Sequence, residues 1–198
     1  MKESSTERFS ALLVGVGGQG VLTAAQILGD AAHEAGLNVT VGQLHGMSQR
    51  GGSVACTVLI GPGSSSWIIG QADVVLAFEP LEALRALPSI GKRTRVVMNT
   101  GVILPPAVLV DAAEYPDQGK IIAHIEGAAG ALTLVDGPAL VSEVGEARTL
   151  NTILLGALAG LDLLPFGGEL LGRVADARLP DRYQERNQRA FELGQRAI

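Results

Sequence analysis

Apolar positions along this chain alternate between short continuous runs and longer segments with helical spacing. Residues 9–16 form an apolar run that ends in glycines, which is typical of a buried strand. Over residues 21–35 the apolar side chains recur at helical spacing, and Gly36 follows as a C-terminal cap. A short second strand is predicted over residues 37–41. The chain therefore opens as strand, helix, strand.

The alternation continues toward the C-terminus. It predicts strands over residues 54–60, 73–78, 95–99 and 132–135, a candidate hairpin return over 67–69, and helices over 80–87, 149–161 and 180–198. Residues 102–131 carry prolines and little periodicity, so we expect an irregular excursion there. The order predicts an α/β, Rossmann-like fold with a largely parallel sheet flanked by helices. Residues 1–198 are expected to form a single domain, with residues 1–8 flexible and a C-terminal helix over 180–198.

Composition then removes several classes of function. The formal net charge of −5 gives no electrostatic support to nucleic acid binding. A single cysteine, Cys56, excludes an intramolecular disulfide, and it excludes an iron–sulfur cluster held by this chain alone. Residues 1–8 lack an apolar signal core, and the longest apolar stretch, residues 150–166, is short for a membrane span. We expect a cytoplasmic protein with no membrane or nucleic acid partner.

A glycine-rich loop follows the first predicted strand and reads Gly15-Val16-Gly17-Gly18-Gln19-Gly20. Its glycines permit close backbone approach, and the start of the next helix presents N–H groups to an anion. A dinucleotide-binding loop also needs an acidic residue at the end of the second strand, and residues 39–43 have none. Two interpretations of the first loop therefore remain open. The loop contacts an anion or cofactor, or its glycines only allow the helix to pack on the strand.

A second loop concentrates polar side chains and reads His45-Gly46-Met47-Ser48-Gln49-Arg50-Gly51-Gly52-Ser53. The Arg50 guanidinium suits a carboxylate or phosphate, and His45 titrates near neutral pH. Because parallel strands end at one edge of a sheet, we expect both loops to line the same crevice. Contact with a small molecule and contact with another subunit explain the loop equally well. The alternative is that His45 and Arg50 only tie down a surface loop.

Three further polar residues are candidates for the same edge or for an interface. Glu79 and Asn99 end predicted strands and either line the site or cap turns. Asn151 lies in an apolar helix and needs a hydrogen-bond partner if it is buried. His33 and His124 are isolated in the sequence, so no metal site is expected. No residue is assigned to catalysis.

The two loops, together with DVVLAFEPLEALR at residues 73–85 and NTILLGALA at residues 151–159, resemble a known family. It is the gamma subunit or gamma domain of 2-oxoacid:ferredoxin oxidoreductases, and in particular the beta subunits of indolepyruvate:ferredoxin oxidoreductases. The resemblance extends from about residue 11 to residue 194, and the tail carries it through Asn187, Ala190, Phe191 and Gly194. The second loop is its specific element.

The resemblance implies a subunit that is inactive when isolated. The family oxidatively decarboxylates a 2-oxoacid to an acyl-CoA and passes electrons to ferredoxin. It implies that thiamine diphosphate, Mg and the iron–sulfur clusters belong to a larger partner subunit, with CoA as co-substrate. The resemblance places the CoA or the active-site entrance against Gly17, Gly18, Gln19, Ser48, Gln49 and Arg50.

Two other functions remain open from the residues. One is a stand-alone nucleotide- or flavin-binding oxidoreductase that uses the first loop. The other is a regulatory module that binds an anion without catalysis. Co-purification with a larger thiamine- and cluster-bearing chain distinguishes both from the subunit hypothesis.

Overall fold

The structure is a computed structural model that describes residues 8–45, 52–62, 70–104, 114–178 and 181–198. Its strands are β1 (Phe9–Val16), β2 (Val39–His45), β3 (Ser53–Ile60), β4 (Val74–Ala77), β5 (Arg95–Asn99) and β6 (Ala131–Val135). Its helices are α1 (Val21–Glu34), α2 (Pro80–Arg85), α3 (Gln118–Ala128), α4 (Gly137–Val144), α5 (Leu150–Gly160), α6 (Gly168–Ala177) and α7 (Asp181–Arg196). Short 3₁₀ turns lie at Leu87–Ser89 and Ala147–Thr149.

The strands form one six-stranded sheet in the order β2-β3-β1-β4-β5-β6. Strands β1, β4, β5 and β6 pair in parallel. Strand β3 pairs antiparallel with both β1 and β2, so β2 runs in the same direction as β1. The predicted α/β fold with a largely parallel sheet and flanking helices is therefore confirmed, and β3 is its one reversed strand.

Each face of the sheet carries an apolar layer. On one face Leu13 and Leu76 pack against α1, α5, α6 and α7. On the other face Val75 and Met98 pack against α2 and α3. Alternate residues of a strand point to opposite faces, so a strand covered on both sides must be apolar throughout, as β4 is.

Helix α5 is buried between the sheet and α7, and glycines permit the close approach of the two helices. A β-carbon on Gly194 would overlap the carbonyl oxygen of Ile153, and one on Gly156 would overlap the carbonyl oxygen of Phe191. The predicted apolar helix and the predicted C-terminal helix therefore meet backbone to backbone.

The expectation of an irregular excursion over residues 102–131 is wrong for residues 118–128, which form α3. Ile121 and Ile125 are buried one turn apart, and the Asp117 carboxylate caps the helix by accepting from the Lys120 N–H at 2.9 Å. Two glycines, Gly119 and Gly127, weaken the helical signal in the sequence.

Two smaller differences concern the ends and number of elements. Strand β2 covers Val39–His45 rather than residues 37–41, because pairing with β3 carries it onward. Helix α6 is not predicted by the sequence pattern. The candidate strand over 67–69 and residues 1–7 of the expected flexible N-terminus lie outside the described residues. Of the helices in the described ranges, none has the length and apolar character to cross a membrane.

Candidate functional site

The described ends of both glycine-rich loops lie at the carboxyl edge of the parallel strands. Val16 at the end of β1 pairs with Ser53 at the start of β3, and His45 at the end of β2 pairs with Val54. The N–H of Gly17 donates to the carbonyl of Gly52 at 2.8 Å. The first loop is therefore joined to the C-terminal end of the second.

The glycines of the first loop serve backbone geometry. Gly18 and Gly20 have φ values of 105° and 82°, in the left-handed region that favours glycine. A β-carbon on Gly15 would approach side-chain atoms of Phe78 and Val21 to 2.7 Å. A β-carbon on Gly20 would meet the carboxamide of Asn151. Because Gly15 and Gly20 carry no side chain, α1, β1 and α5 can lie close together around the loop.

Two predicted site residues, Gln19 and Asn99, hold backbone groups with their carboxamides. Gln19 Oε1 accepts from the Val16 N–H at 2.7 Å, and Gln19 Nε2 donates to the Phe78 carbonyl at 2.8 Å. Asn99 Nδ2 donates to the same carbonyl at 2.8 Å, and Asn99 Oδ1 accepts from the Gly101 N–H at 3.1 Å. The carboxyl ends of β1, β4 and β5 are tied together through Phe78.

Glu79 is 1% exposed and caps α2. Its carboxylate accepts from the Glu82 N–H at 3.1 Å, from the Tyr115 hydroxyl at 2.6 Å and from the Ile103 N–H at 3.3 Å. Burial, followed by the hydrogen bond to Glu79, raises the pKa of Tyr115 above its usual range. Of the two possibilities that the sequence left open for Glu79, the structure shows the cap.

Glu82 contacts the second loop although the sequence did not single it out. The Ser53 hydroxyl donates to the buried Glu82 carboxylate at 2.5 Å, and the Arg85 guanidinium bonds the other carboxylate oxygen. Glu82 follows Glu79 by three residues, so the start of α2 brings the two carboxylates to the same turn. This spacing is the sequence signal by which Glu82 could have been found. Glu82 therefore anchors the C-terminal end of the second loop to α2.

A cavity of about 660 Å³ lies against the first loop and the start of α1. Arg148 and Asn151 also line it. The Asn151 carboxamide oxygen accepts a hydrogen bond from the Thr152 N–H at 2.9 Å. Asn151 therefore has the hydrogen-bond partner that the sequence analysis expected it to need. Arg148 adds positive charge to a helix N-terminus, and both favour a carboxylate or phosphate group. Arg148 belongs to no motif by which the sequence analysis could have recognised it.

A model of the pyruvate ferredoxin/flavodoxin oxidoreductase family matches residues 10–197. The chain belongs to this family. The resemblance stated from the two loops is thus confirmed.

Within the family, the chain is similar to subunits of indolepyruvate oxidoreductases. Subunit IorB of Thermococcus kodakarensis is 40% identical and is matched over 96% of this chain and 96% of its own length. Subunit IorB of Methanothermobacter thermautotrophicus is 38% identical over 94% of this chain and 95% of its own length. Both relatives are oxidoreductase subunits of nearly the same extent as this chain.

Solved members share the fold. The gamma subunit of a keto/oxoacid ferredoxin oxidoreductase from Geobacter sulfurreducens has a TM-score of 0.69 at 22% identity, covering 96% of this chain and 97% of that one. The 2-oxoglutarate:ferredoxin oxidoreductase of Magnetococcus marinus, solved with 2-oxoglutarate, coenzyme A and succinyl-CoA bound, has a TM-score of 0.74 at 19% identity. It is matched over 96% of this chain and 31% of that chain, so the same fold forms part of a longer polypeptide there.

The second-loop candidates Ser48, Gln49 and Arg50, which the resemblance suggested, lie outside the described residues, as do the loop candidates Met47 and Gly51 and the side chain of His45. Among the residues that the structure does describe, no cluster of three or more His, Cys, Asp or Glu side chains is arranged to hold a metal ion. The structure thus brings Gly15, Gly17, Gly18, Gln19, Gly20, Gly52 and Asn151 to one edge, with Glu79 and Asn99 in the backbone network beneath it.

Proposed function

We propose that this chain is the small subunit of an indolepyruvate-type 2-oxoacid:ferredoxin oxidoreductase, in which a larger partner carries the thiamine diphosphate, Mg and iron–sulfur clusters. The enzyme converts an arylpyruvate to an acyl-CoA and passes electrons to ferredoxin. The observation that carries the proposal is the Gly17–Gly52 hydrogen bond, which joins the two loops of the family motif at one edge.

The cysteine count supports this division of labour. An iron–sulfur cluster is usually held by four thiolates, and the chain has one cysteine, which is buried in β3. Burial raises the pKa of the Cys56 thiol to about 11, so the thiolate that binds a metal is disfavoured. Electron transfer through clusters therefore requires another chain.

The chain's own contribution is binding at the carboxyl edge. The start of α1, the Arg148 guanidinium and Arg50 from the second loop supply positive groups that suit the phosphates of CoA. Gln19, Asn99 and Glu82 hold the edge in place through backbone and side-chain hydrogen bonds. We assign no proton transfer to any of these residues.

Co-expression with the larger subunit tests the proposal. We expect the two chains to purify as one complex that reduces ferredoxin with indolepyruvate only when CoA is present. Ferredoxin reduction is followed by absorbance and acyl-CoA by mass spectrometry. An isolated chain that binds NAD or flavin tightly, with no partner, would establish the stand-alone enzyme instead. A chain that binds an anion but never the partner would establish the regulatory module.

The Arg50→Ala variant tests the second loop within that complex. Because it removes a forked cationic donor, we expect complex assembly to weaken or KM for CoA to rise by about tenfold, with the isolated fold unchanged. Arg173→Ala is the control, since Arg173 is an exposed arginine of α6 that pairs only at 3.7 Å with Glu34. Equal assembly and equal kinetics in the two variants would remove Arg50 from the proposal.

A further inference from the structure

A second cavity lies among α1, α5, α6 and α7, beside the glycine-loop cavity. Its volume is about 340 Å³, within the range of small-molecule sites in proteins. Ile27 of α1 and Ala175 of α6 form an apolar, buried part of its lining. The cavity therefore offers a concave apolar surface to a small molecule.

The polar part of the lining is held in place by buried hydrogen bonds. The Thr152 hydroxyl donates to Asn187 Oδ1 at 2.5 Å, and Asn187 Nδ2 donates to the Asp176 carboxylate at 2.7 Å. Because Thr152 and Asn187 are both buried and bonded to each other, α5 and α7 are fixed relative to one another at this point. The polar wall of the cavity is therefore formed by side chains whose positions are set by the packing of these helices.

The charges around the cavity are unbalanced. Among the described residues of its lining, Arg148, Arg178 and Arg186 supply positive charge and Glu146 supplies the one carboxylate. Arg178 is already bonded to Asp30 and to Gln26. The Glu146 carboxylate accepts from the backbone N–H of Arg148 at 3.3 Å. Within the described part of the chain, the guanidinium groups of Arg148 and Arg186 make no hydrogen bond or ion pair.

We propose that this cavity is a second ligand site, which takes a small organic anion whose carboxylate or phosphate pairs with Arg148 and Arg186. The apolar body of the ligand, such as an aromatic ring, lies against Ile27 and Ala175. Guanidinium groups bind carboxylate and phosphate with paired donors, and an apolar lining favours a ligand with a hydrophobic body over a bare inorganic ion.

The site is distinguishable from the glycine-loop edge by its lining. Thr23, Arg148 and Asn151 line both cavities, whereas Arg186 lines only the one among the helices. A ligand of the helix cavity must therefore depend on Arg186. The binding of a ligand at the glycine loop must not depend on Arg186.

Titration of the full chain with matched probes tests the proposal. The probes are phenylacetate and phenyl phosphate, which differ in the anionic head, with benzyl alcohol and inorganic phosphate as comparisons that each lack one half of the ligand. We expect one or both aryl anions to bind, as followed by calorimetry and ligand-observed NMR. The tighter of the two identifies the head group. Benzyl alcohol and inorganic phosphate should bind roughly tenfold more weakly or not at all.

Variants locate the binding. Arg148→Ala and Arg186→Ala should each weaken the aryl anion by roughly tenfold, the loss of one charged hydrogen-bonding group. Arg173→Ala, which removes an equal charge away from the cavity, should leave affinity unchanged. Arg186→Gln, which keeps most of the side-chain length, checks that any loss does not come from misfolding, and thermal unfolding is recorded for every variant.

Three results would overturn the proposal. The first is no binding of either aryl anion up to about 10 mM. The second is equal affinity for benzyl alcohol, which would make the cavity an apolar crevice with no role for the arginines. The third is loss of binding in Arg148→Ala with full binding in Arg186→Ala, which would place the anion at the glycine loop.

Discussion

At the scale of single residues, the polar side chains of the carboxyl edge divide into two sets. Gln19, Glu79 and Asn99 use their donors and acceptors on buried backbone groups and on Tyr115. Buried polar groups are costly unless they are bonded, so these residues are committed to holding the edge together. What remains for a ligand is the backbone of the glycine loop and the cationic side chains around it.

The Ser53 hydroxyl provides a test of how firmly the edge is held. Its bond to the buried Glu82 carboxylate is lost in Ser53→Ala, while Arg85 still bonds Glu82. We expect the free energy of unfolding in urea to fall by about 1.5 kcal/mol, the lower end of the range for a hydrogen bond to a charged group, because Ser53 is exposed. Ser142→Ala, at an exposed position in α4, should change it by less than about 0.5 kcal/mol. Similar losses in the two variants would show that the Glu82 bond contributes nothing.

The candidate site could be predicted only in part from the sequence, and the reason lies in these residues. The two loops were recognisable because glycines and polar residues cluster locally in the chain. Glu82 and Arg148 reach the edge through the sheet order and the packing of α5, which no local pattern encodes. Whether Asn99 faces a ligand or a carbonyl depends on the position of Phe78, 21 residues away in sequence.

At the scale of helices and strands, glycines allow α5 and α7 to pack backbone against backbone. Gly156 and Gly194 each face backbone of the opposite helix. Close approach lets the carbonyl and α-carbon surfaces pack directly, which raises the number of dispersion contacts per residue. The two helices consequently act as one unit that covers the sheet.

Alanine substitutions distinguish glycines that permit packing from those that merely occur in a helix. Gly194→Ala places a methyl group against the backbone of α5 and should lower the free energy of unfolding by about 2–3 kcal/mol. Gly127→Ala, in α3, meets no atom within 4 Å and should raise it by about 0.5–1 kcal/mol because alanine loses less backbone entropy. Denaturant unfolding measures both. A stable Gly194→Ala would mean that α5 and α7 separate at little cost.

Elements were predictable where local signals agreed. Helix α2 has proline in its first turn and a capping acid, and α1 has regular apolar spacing, so the sequence located both. Helix α3 carries two glycines and follows prolines, and its stability comes from burying Ile121 and Ile125 on the sheet. The reversed direction of β3 was not predicted, because the predicted second strand ends at residue 41 and leaves about a dozen residues before residue 54, enough for a crossover between parallel strands.

At the scale of the whole molecule, global unfolding exposes the Cys56 thiol, which holds its proton more tightly in the folded state than in the unfolded state. Cys56 lies fully buried in β3, and burial raises its pKa from 9.0 to about 11. The folded state therefore holds the thiol proton more tightly than the unfolded state does. The corresponding stability is present below pH 9 and is lost as the pH rises toward 11.

We expect the free energy of unfolding to decrease between pH 9 and about pH 11, and to decrease less in Cys56→Ala. Tyr115, whose pKa is also raised by burial, affects both proteins alike, so their difference isolates the thiol. Urea unfolding at several pH values measures it. Parallel curves for the two proteins would contradict the effect of burial on Cys56.

The position of β3 between β2 and β1 allows the connection between β2 and β3 to vary in length. Because β3 pairs directly with β2, residues 46–52 connect neighbouring antiparallel strands, whereas a parallel pair needs a long crossover. Lengthening such a connection adds little closure entropy and leaves the pairing of β1 with β3 intact. A chain with this topology can acquire or lose residues next to its glycine loop while the sheet stays unchanged. Changes in the length of this connection therefore leave the order of the strands as it is.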